Sequence, residues 1–230
     1  MVTRTIKIEK EVKSARDLVT SYFDIVGTKT VPTITDIAEA DGFELKVFEP
    51  EDISALFSMY SPEIANNILC SLTITDEDKK YICLSQDILT NYGELTKVAI
   101  MVAVAVALTL YYTYESKFKT DYNMIVINVD EMDEILNSED EDLLKLLNKS
   151  CGNAEFMLQL LVPDEMFLLI AAMMPEFVDK DFDTCKFITD NLNLTKNLAN
   201  LSIDFYLNRW MTEFKKQMLD NDSQETMETD

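Results

Sequence analysis

The chain has 230 residues, 47% of them hydrophobic, a formal charge of −22 and no histidine. The absence of histidine excludes Ser-His-Asp and Cys-His nucleophile systems, an imidazole general base and ordinary histidine-bearing zinc sites. The negative charge disfavours direct nucleic-acid binding and suits cationic partners. The length predicts a single soluble domain, and only 4 Gly and 5 Pro favour long helices over a turn-rich β protein.

The first third of the chain predicts helices followed by a strand. Residues 10–26 carry apolar side chains at helical spacing, and the run ends at Gly27. A second, short helix over Thr33–Ala38 is expected to stop at Asp41-Gly42. Phe43–Phe48 then alternates between apolar and polar residues, as a half-buried strand does.

Three further segments have the pattern of strands. They lie around Ala55–Met59, at Ile68–Thr75 and, after the polar turn Asp76–Lys79, at Tyr81–Leu84. Together with Phe43–Phe48 they predict a small antiparallel sheet.

Residues 98–108 are eleven consecutive apolar residues in which Val and Ala alternate. A stretch of this length without Gly or Pro favours a helix buried on all sides, which would be the centre of the core. The alternation also fits a buried strand. A membrane span is the third reading, although it needs about 20 apolar residues and Lys97 and Glu115 bracket a shorter segment.

Residues 130–142 contain eight acids and no base. Such a run is usually a solvated loop or helix face, but it is also the strongest candidate for a partner-binding surface. The candidate binding residues are Glu131, Asp133, Glu134, Glu139, Asp140, Glu141 and Asp142.

The remaining third of the chain is predicted to be helical and to end in an acidic tail. Helical patterns cover 143–147, 154–170 with a break at Pro163, and about 182–214. Residues 216–230 form an acidic tail that its composition predicts to be disordered.

The four cysteines, Cys70, Cys83, Cys151 and Cys185, contain no CxxC pair. Since the amino terminus also lacks a signal-peptide pattern, we expect reduced, mostly buried thiols in a cytoplasmic protein.

Several phrases of the chain, in this order, resemble the ImmA/IrrE family of bacterial and phage zinc metallopeptidases. Ile34–Ala38 with Asp41–Leu45 is similar to the family's opening helix and strand. Asp52–Leu56 resembles its "D-x-S-G-L" strand, and Tyr81–Ser85 its "I-x-V-N" strand. Phe156–Pro163 resembles its "F-A-x-x-L-L-M-P" phrase. The similarity spans roughly residues 12–200.

The chain departs from the family at the positions that carry catalysis. The family's HExxH helix aligns with Val98–Leu110, so the two histidines and the glutamate between them fall near Val102, Ala103 and Val106, with an uncertainty of about one turn. None of these side chains binds zinc or acts as a base. The third ligand, a glutamate, falls within Ser150–Glu155, where the obvious position is not acidic. The resemblance therefore implies a peptidase-like fold that has lost its metal and its activity.

The sequence thus predicts an α+β, mostly helical fold in which a small antiparallel sheet packs on a buried central helix, and the resemblance implies that this core is zincin-like. The expected organisation is an N-terminal extension over 1–9, one domain over 10–215, and the tail over 216–230. The resemblance implies a phage or mobile-element regulator without cofactor or metal, whose partner is another protein such as a repressor. No nucleic-acid or membrane binding is expected.

The composition of the chain leaves two other functions open. An acidic inhibitor that mimics nucleic-acid phosphates would bind a basic DNA- or RNA-binding enzyme. An enzyme that uses only carboxylates and a hard metal such as Mg²⁺ needs no histidine, although neither Asp76–Asp78 nor Glu139–Asp142 matches an EF-hand loop.

Overall fold

The computed structural model describes residues 33–57, 62–75, 79–113, 122–138, 140–163, 167 and 183–225, and only the backbone for 54, 62, 122, 140, 141 and 213–225. It is mostly helical with a small mixed four-stranded sheet, an α+β arrangement. The elements in chain order are α1 (Ile34–Ala40), β1 (Phe43–Phe48), α2 (Pro50–Leu56), α3 (Pro62–Asn66), β2 (Ile68–Ile74), β3 (Lys80–Ser85), α4 (Gln86–Thr90), a 3₁₀ turn (Gly93–Leu95), α5 (Thr96–Thr113), β4 (Tyr122–Asn128), α6 (Val129–Asn137), α7 (Asp140–Cys151), α8 (Ala154–Leu161), α9 (Thr184–Leu192) and α10 (Lys196–Glu225).

The predicted short helix and the strand after it are confirmed as α1 and β1. A capping box begins α1: the Asp36 backbone N–H donates to Thr33 Oγ1 at 3.3 Å, and the Thr33 N–H donates to Asp36 Oδ2 at 2.8 Å. The helix ends at the predicted Asp41-Gly42, where Gly42 has φ of +83°. That left-handed conformation suits glycine and turns the chain directly into β1.

The strand predicted around Ala55–Met59 is wrong. Ala55 and Leu56 belong to α2, so the Asp52–Leu56 phrase is helical rather than a strand. Pro50 at the first helical position and the acids Glu51 and Asp52 in the first turn favour a helix start there. The prediction of strands at Ile68–Thr75 and Tyr81–Leu84 is confirmed by β2 and β3.

The sheet is mixed rather than antiparallel. Its strand order is β1-β3-β2-β4, and β1 pairs with β3 in parallel, whereas β2 pairs antiparallel with both β3 and β4. The parallel pair arises because α2, α3 and β2 intervene between β1 and β3 and return the chain to the same end of the sheet. The predicted antiparallel sheet is therefore corrected for β1.

Helix α5 lies at the centre of the described structure, which confirms the predicted buried helix. It packs against strands β2, β3 and β4, while α1, α7 and α8 contact its remaining surface. One continuous core joins residues from α1 through α10, and a smaller cluster of Ile53, Phe57 and Ile68 lies beneath α2. The stretch Gly93–Thr113 is long and apolar enough to cross a membrane, but its apolar window is 67% buried within the fold, which is consistent with the core helix of a soluble protein.

The carboxy-terminal part is two helices rather than one amphipathic stretch. Asn193 adopts a left-handed conformation with φ of +52° and ends α9, and α10 begins at Lys196. Helix α10 continues to Glu225, and disorder of the tail over 216–230 stays a prediction. Residues 226–230 lie outside the described residues, as do the N-terminal extension over 1–9 and the predicted first helix over 10–26.

Candidate functional site

The positions that the resemblance aligns with the HExxH motif are buried inside the protein. Val102, Ala103 and Val106 on α5 are all 0% exposed. From Val98 to Thr109 every side chain except that of Ile100 is buried, so an alignment shifted by one turn reaches the same result. The helix that carries the peptidase chemistry in the resembled family is packed on all sides here.

The neighbours of this helix supply packing rather than ligands. The Cys70 thiol of β2 points at the Ala103 carbonyl oxygen across 4.0 Å, and the buried Thr109 hydroxyl donates to the Ala105 carbonyl at 2.7 Å. Glu155, the acid nearest the expected third ligand, is exposed in the first turn of α8. Within the residues that the structure describes, no three His, Cys, Asp or Glu side chains come together as a metal site.

Three of the four cysteines are buried thiols, as predicted, and all four are free. Burial raises the pKa of the Cys70, Cys83 and Cys151 thiols above their ordinary value of 9.0. The thiolate is the reactive and metal-binding form of cysteine, so these groups are inert at neutral pH. They serve the core as small apolar side chains.

We expect the stability of the protein to fall steeply above about pH 9. Below that pH the thiols are protonated in both states; above it the unfolded thiols lose their protons while the folded ones keep them, so rising pH favours unfolding. Each thiol that stays protonated in the folded state while it is ionised in the unfolded state contributes a slope of at most about 1.4 kcal/mol per pH unit. Urea denaturation under reducing conditions at pH 8 and pH 10 measures the loss. Replacing Cys83 by alanine is expected to make the slope shallower, and an unchanged slope would contradict the assignment.

The acidic run is divided between two helices, α6 and α7. Glu131 completes a capping box at the start of α6, where its N–H donates to Asn128 Oδ1 at 2.9 Å. Glu134 lies 3.8 Å from Lys149, and Asp142 lies 2.9 Å from Lys145. The side chains of Glu139, Asp140 and Glu141 lie outside the described part. A binding role for the run stays a prediction, and Glu131 already has a structural role.

Asp133 is the member of the run with the most informative surroundings. It shares the exposed face of α6 with Asp130 and Glu134, since Met132, Ile135 and Leu136 form the buried face. Beside it lies Tyr92, from the segment before α5, whose hydroxyl is enclosed and has no hydrogen-bond partner of good geometry among the described residues. Burial, followed by the Asp133 and Asp87 carboxylates, raises the pKa of Tyr92 well above its ordinary value. Two acids from distant segments therefore converge on this tyrosine.

A second charged group, which sequence reasoning missed, lies at the end of α5. Lys80 donates to the Asp41 carbonyl oxygen at 2.6 Å, and its Nζ is 3.5 Å from Asp41 Oδ2. The Tyr112 hydroxyl donates to the same carboxylate. The ammonium also lies 4.4 Å from the centre of the Phe43 ring and 5.4 Å from that of Tyr111. This cluster ties the α1–β1 turn to β3 and α5 and is a structural tether.

Comparisons with known proteins do not add a family to this description. Searches of family models, curated proteins and solved structures find no match for the chain.

Proposed function

We propose that this protein is a non-catalytic, protein-binding regulator that keeps a zincin-like, ImmA/IrrE-like frame without its metal centre. The observation that carries the proposal is the complete burial of Val102, Ala103 and Val106 on a helix with no ligand or base. A general acid or base must reach its substrate, and a side chain with 0% exposure does not. By the resemblance, the protein is associated with a phage or mobile element and binds a repressor or another regulator, and its free cysteines support a cytoplasmic location.

The proposal is tested by a metal and cleavage assay on the full chain. After incubation with Zn²⁺ and dialysis, we expect elemental analysis to find far less than one zinc per chain. We also expect no cleavage of a helix-turn-helix repressor added as substrate, because no group polarises water or the scissile carbonyl. Stoichiometric zinc together with cleavage would overturn the proposal.

The second candidate function is an acidic inhibitor that occupies the nucleic-acid site of a basic enzyme. The formal charge of −22 and the exposed acids Asp130 and Asp133 favour it. The lysine partners of Glu134 and Asp142 weigh against it, since they reduce the free negative charge of α6 and α7. Its signature is affinity that falls steeply between about 50 and 300 mM salt, because exposed charges are screened over about 10 Å or less.

A further inference from the structure

Helix α10 continues beyond the core of the described structure. Its first part packs against α7, α8 and α9, and Tyr206 is its last buried residue among those described. None of the residues 207–212 is buried, although the helix runs on to Glu225. Helical segments without tertiary contacts are only marginally stable in water, so a helix that leaves the core in this way favours a packing partner.

An apolar stripe lies on this part of α10. Leu207, Trp210 and Met211 are 50%, 43% and 57% exposed, and Met211 is the most exposed large hydrophobic residue in the described part of the chain. Their i, i+3, i+4 spacing places all three on one face of the helix. The Trp210 ring is held by edge contacts to the rings of Tyr206 and Phe167, whose centroids are 6.4 and 5.9 Å away. We call Leu207, Trp210 and Met211 the α10 stripe, and exposed aromatic and Met side chains of this kind are typical of an interface.

The charges along the exposed part of α10 form two blocks of opposite sign. Three of the four charged residues in 207–216 are basic, whereas all three in 217–225 are acidic. Two such helices side by side in the same direction bring like charges together, but in opposite directions each basic block faces an acidic block. The helix is therefore complementary in charge to an antiparallel copy of itself. The basic residues are Arg209, Lys215 and Lys216, and the acidic residues are Asp220, Asp222 and Glu225.

We infer that α10 pairs with α10 of a second copy of this chain, antiparallel and across a two-fold axis. Such an axis brings the same surface of both copies together, so stripe packs on stripe and both charge pairings form at once. In the sequence, Phe214 and Met218 continue the spacing of the α10 stripe toward the middle of the pair. Burial of apolar side chains supplies the affinity, and the charge blocks set the direction. The inference stands apart from the proposed function, since neither a metal nor another protein enters it.

Sedimentation velocity on the full chain over a range of concentrations tests the pairing. The buffer contains about 150 mM salt, which screens charges more than about 8 Å apart and so weakens the repulsion between two copies of charge −22. We expect a mostly dimeric chain at about 100 µM that dissociates on dilution. Leu207→Ser/Trp210→Ser/Met211→Ser is expected to raise the Kd for dimerisation at least about a hundredfold, because it removes the apolar contact.

The matched control is Leu144→Ser on α7, whose leucine is 41% exposed but lies outside the α10 stripe. It is expected to dimerise as the unaltered chain does. Circular dichroism checks that the variants keep their helical content, since all the replaced side chains are exposed.

The direction of the pair is tested by reversing the charge blocks. Lys215→Glu/Lys216→Glu is expected to weaken the dimer about tenfold, and adding Asp220→Lys/Asp222→Lys is expected to restore it to within about threefold. In a parallel pair each block faces its own copy, so the first change would not weaken the dimer. A chain that stays monomeric at about 100 µM, a dimer that survives loss of the stripe, an equal loss in the Leu144→Ser control, or a charge reversal without rescue would each overturn the inference.

Discussion

Introducing an HExxH motif into α5, as Val102→His/Ala103→Glu/Val106→His, is expected to unfold the protein rather than create a peptidase. All three positions are 0% exposed, so the variant forces one carboxylate and two imidazoles into an apolar core. A buried polar group without a partner costs about 1–3 kcal/mol and an unpaired charge several more, while the larger side chains add strain. The sum is comparable with the whole stability of a domain, about 5–15 kcal/mol. Circular dichroism and size-exclusion chromatography, with and without Zn²⁺, measure the loss of folded structure.

A matched control places the same two histidines and glutamate, at the same helical spacing, on the exposed face of α10. Leu207→His/Asn208→Glu/Met211→His on α10 reproduces the spacing where Leu207 is 50% and Met211 57% exposed. We expect this control to fold with nearly unchanged stability. A folded core variant that binds one zinc would show that α5 opens into a cleft, contrary to its observed packing.

The burial of α5 is the feature that the sequence predicted best. Eleven consecutive apolar residues leave no polar face for water, so a helix of that composition is stable only when it is enclosed. The prediction of a strand at Ala55–Met59 is wrong because this apolar run is short, and a few apolar residues in a row fit a strand or a helix equally well. The start signals at Pro50, Glu51 and Asp52 decide the outcome.

The local sequence pattern does not determine which strands pair with each other in the sheet. Nothing within Phe43–Phe48 or Lys80–Ser85 specifies that these strands pair in parallel, because alternation gives the buried face and not the neighbour. The surroundings of Asp133 likewise depend on both local sequence and long-range packing. Asp133 lies within the predicted acidic run, but its proximity to Tyr92 depends on how α6 packs beside the segment before α5.

The tether at the end of α5 leads to the second large expected effect: Asp41→Ala is expected to lower the free energy of unfolding by about 2–4 kcal/mol. The Asp41 side chain is 5% exposed and accepts from Tyr112, while Lys80 is 20% exposed between it and two aromatic rings. Removing the carboxylate leaves a largely buried ammonium and a buried hydroxyl without that partner. Urea denaturation at neutral pH measures the change.

The exposed pair of Asp142 and Lys145 is the matched control, because its two side chains are 74% and 79% exposed at a distance of 2.9 Å. Asp142→Ala is expected to change stability by less than about 0.5 kcal/mol, since solvent screens surface ion pairs. Adding Lys80→Met to Asp41→Ala is expected to recover part of the loss, because the ammonium that has lost its carboxylate partner is then gone. Equal costs for Asp41→Ala and Asp142→Ala would mean that burial does not strengthen the tether and that packing alone holds the α1–β1 turn against α5.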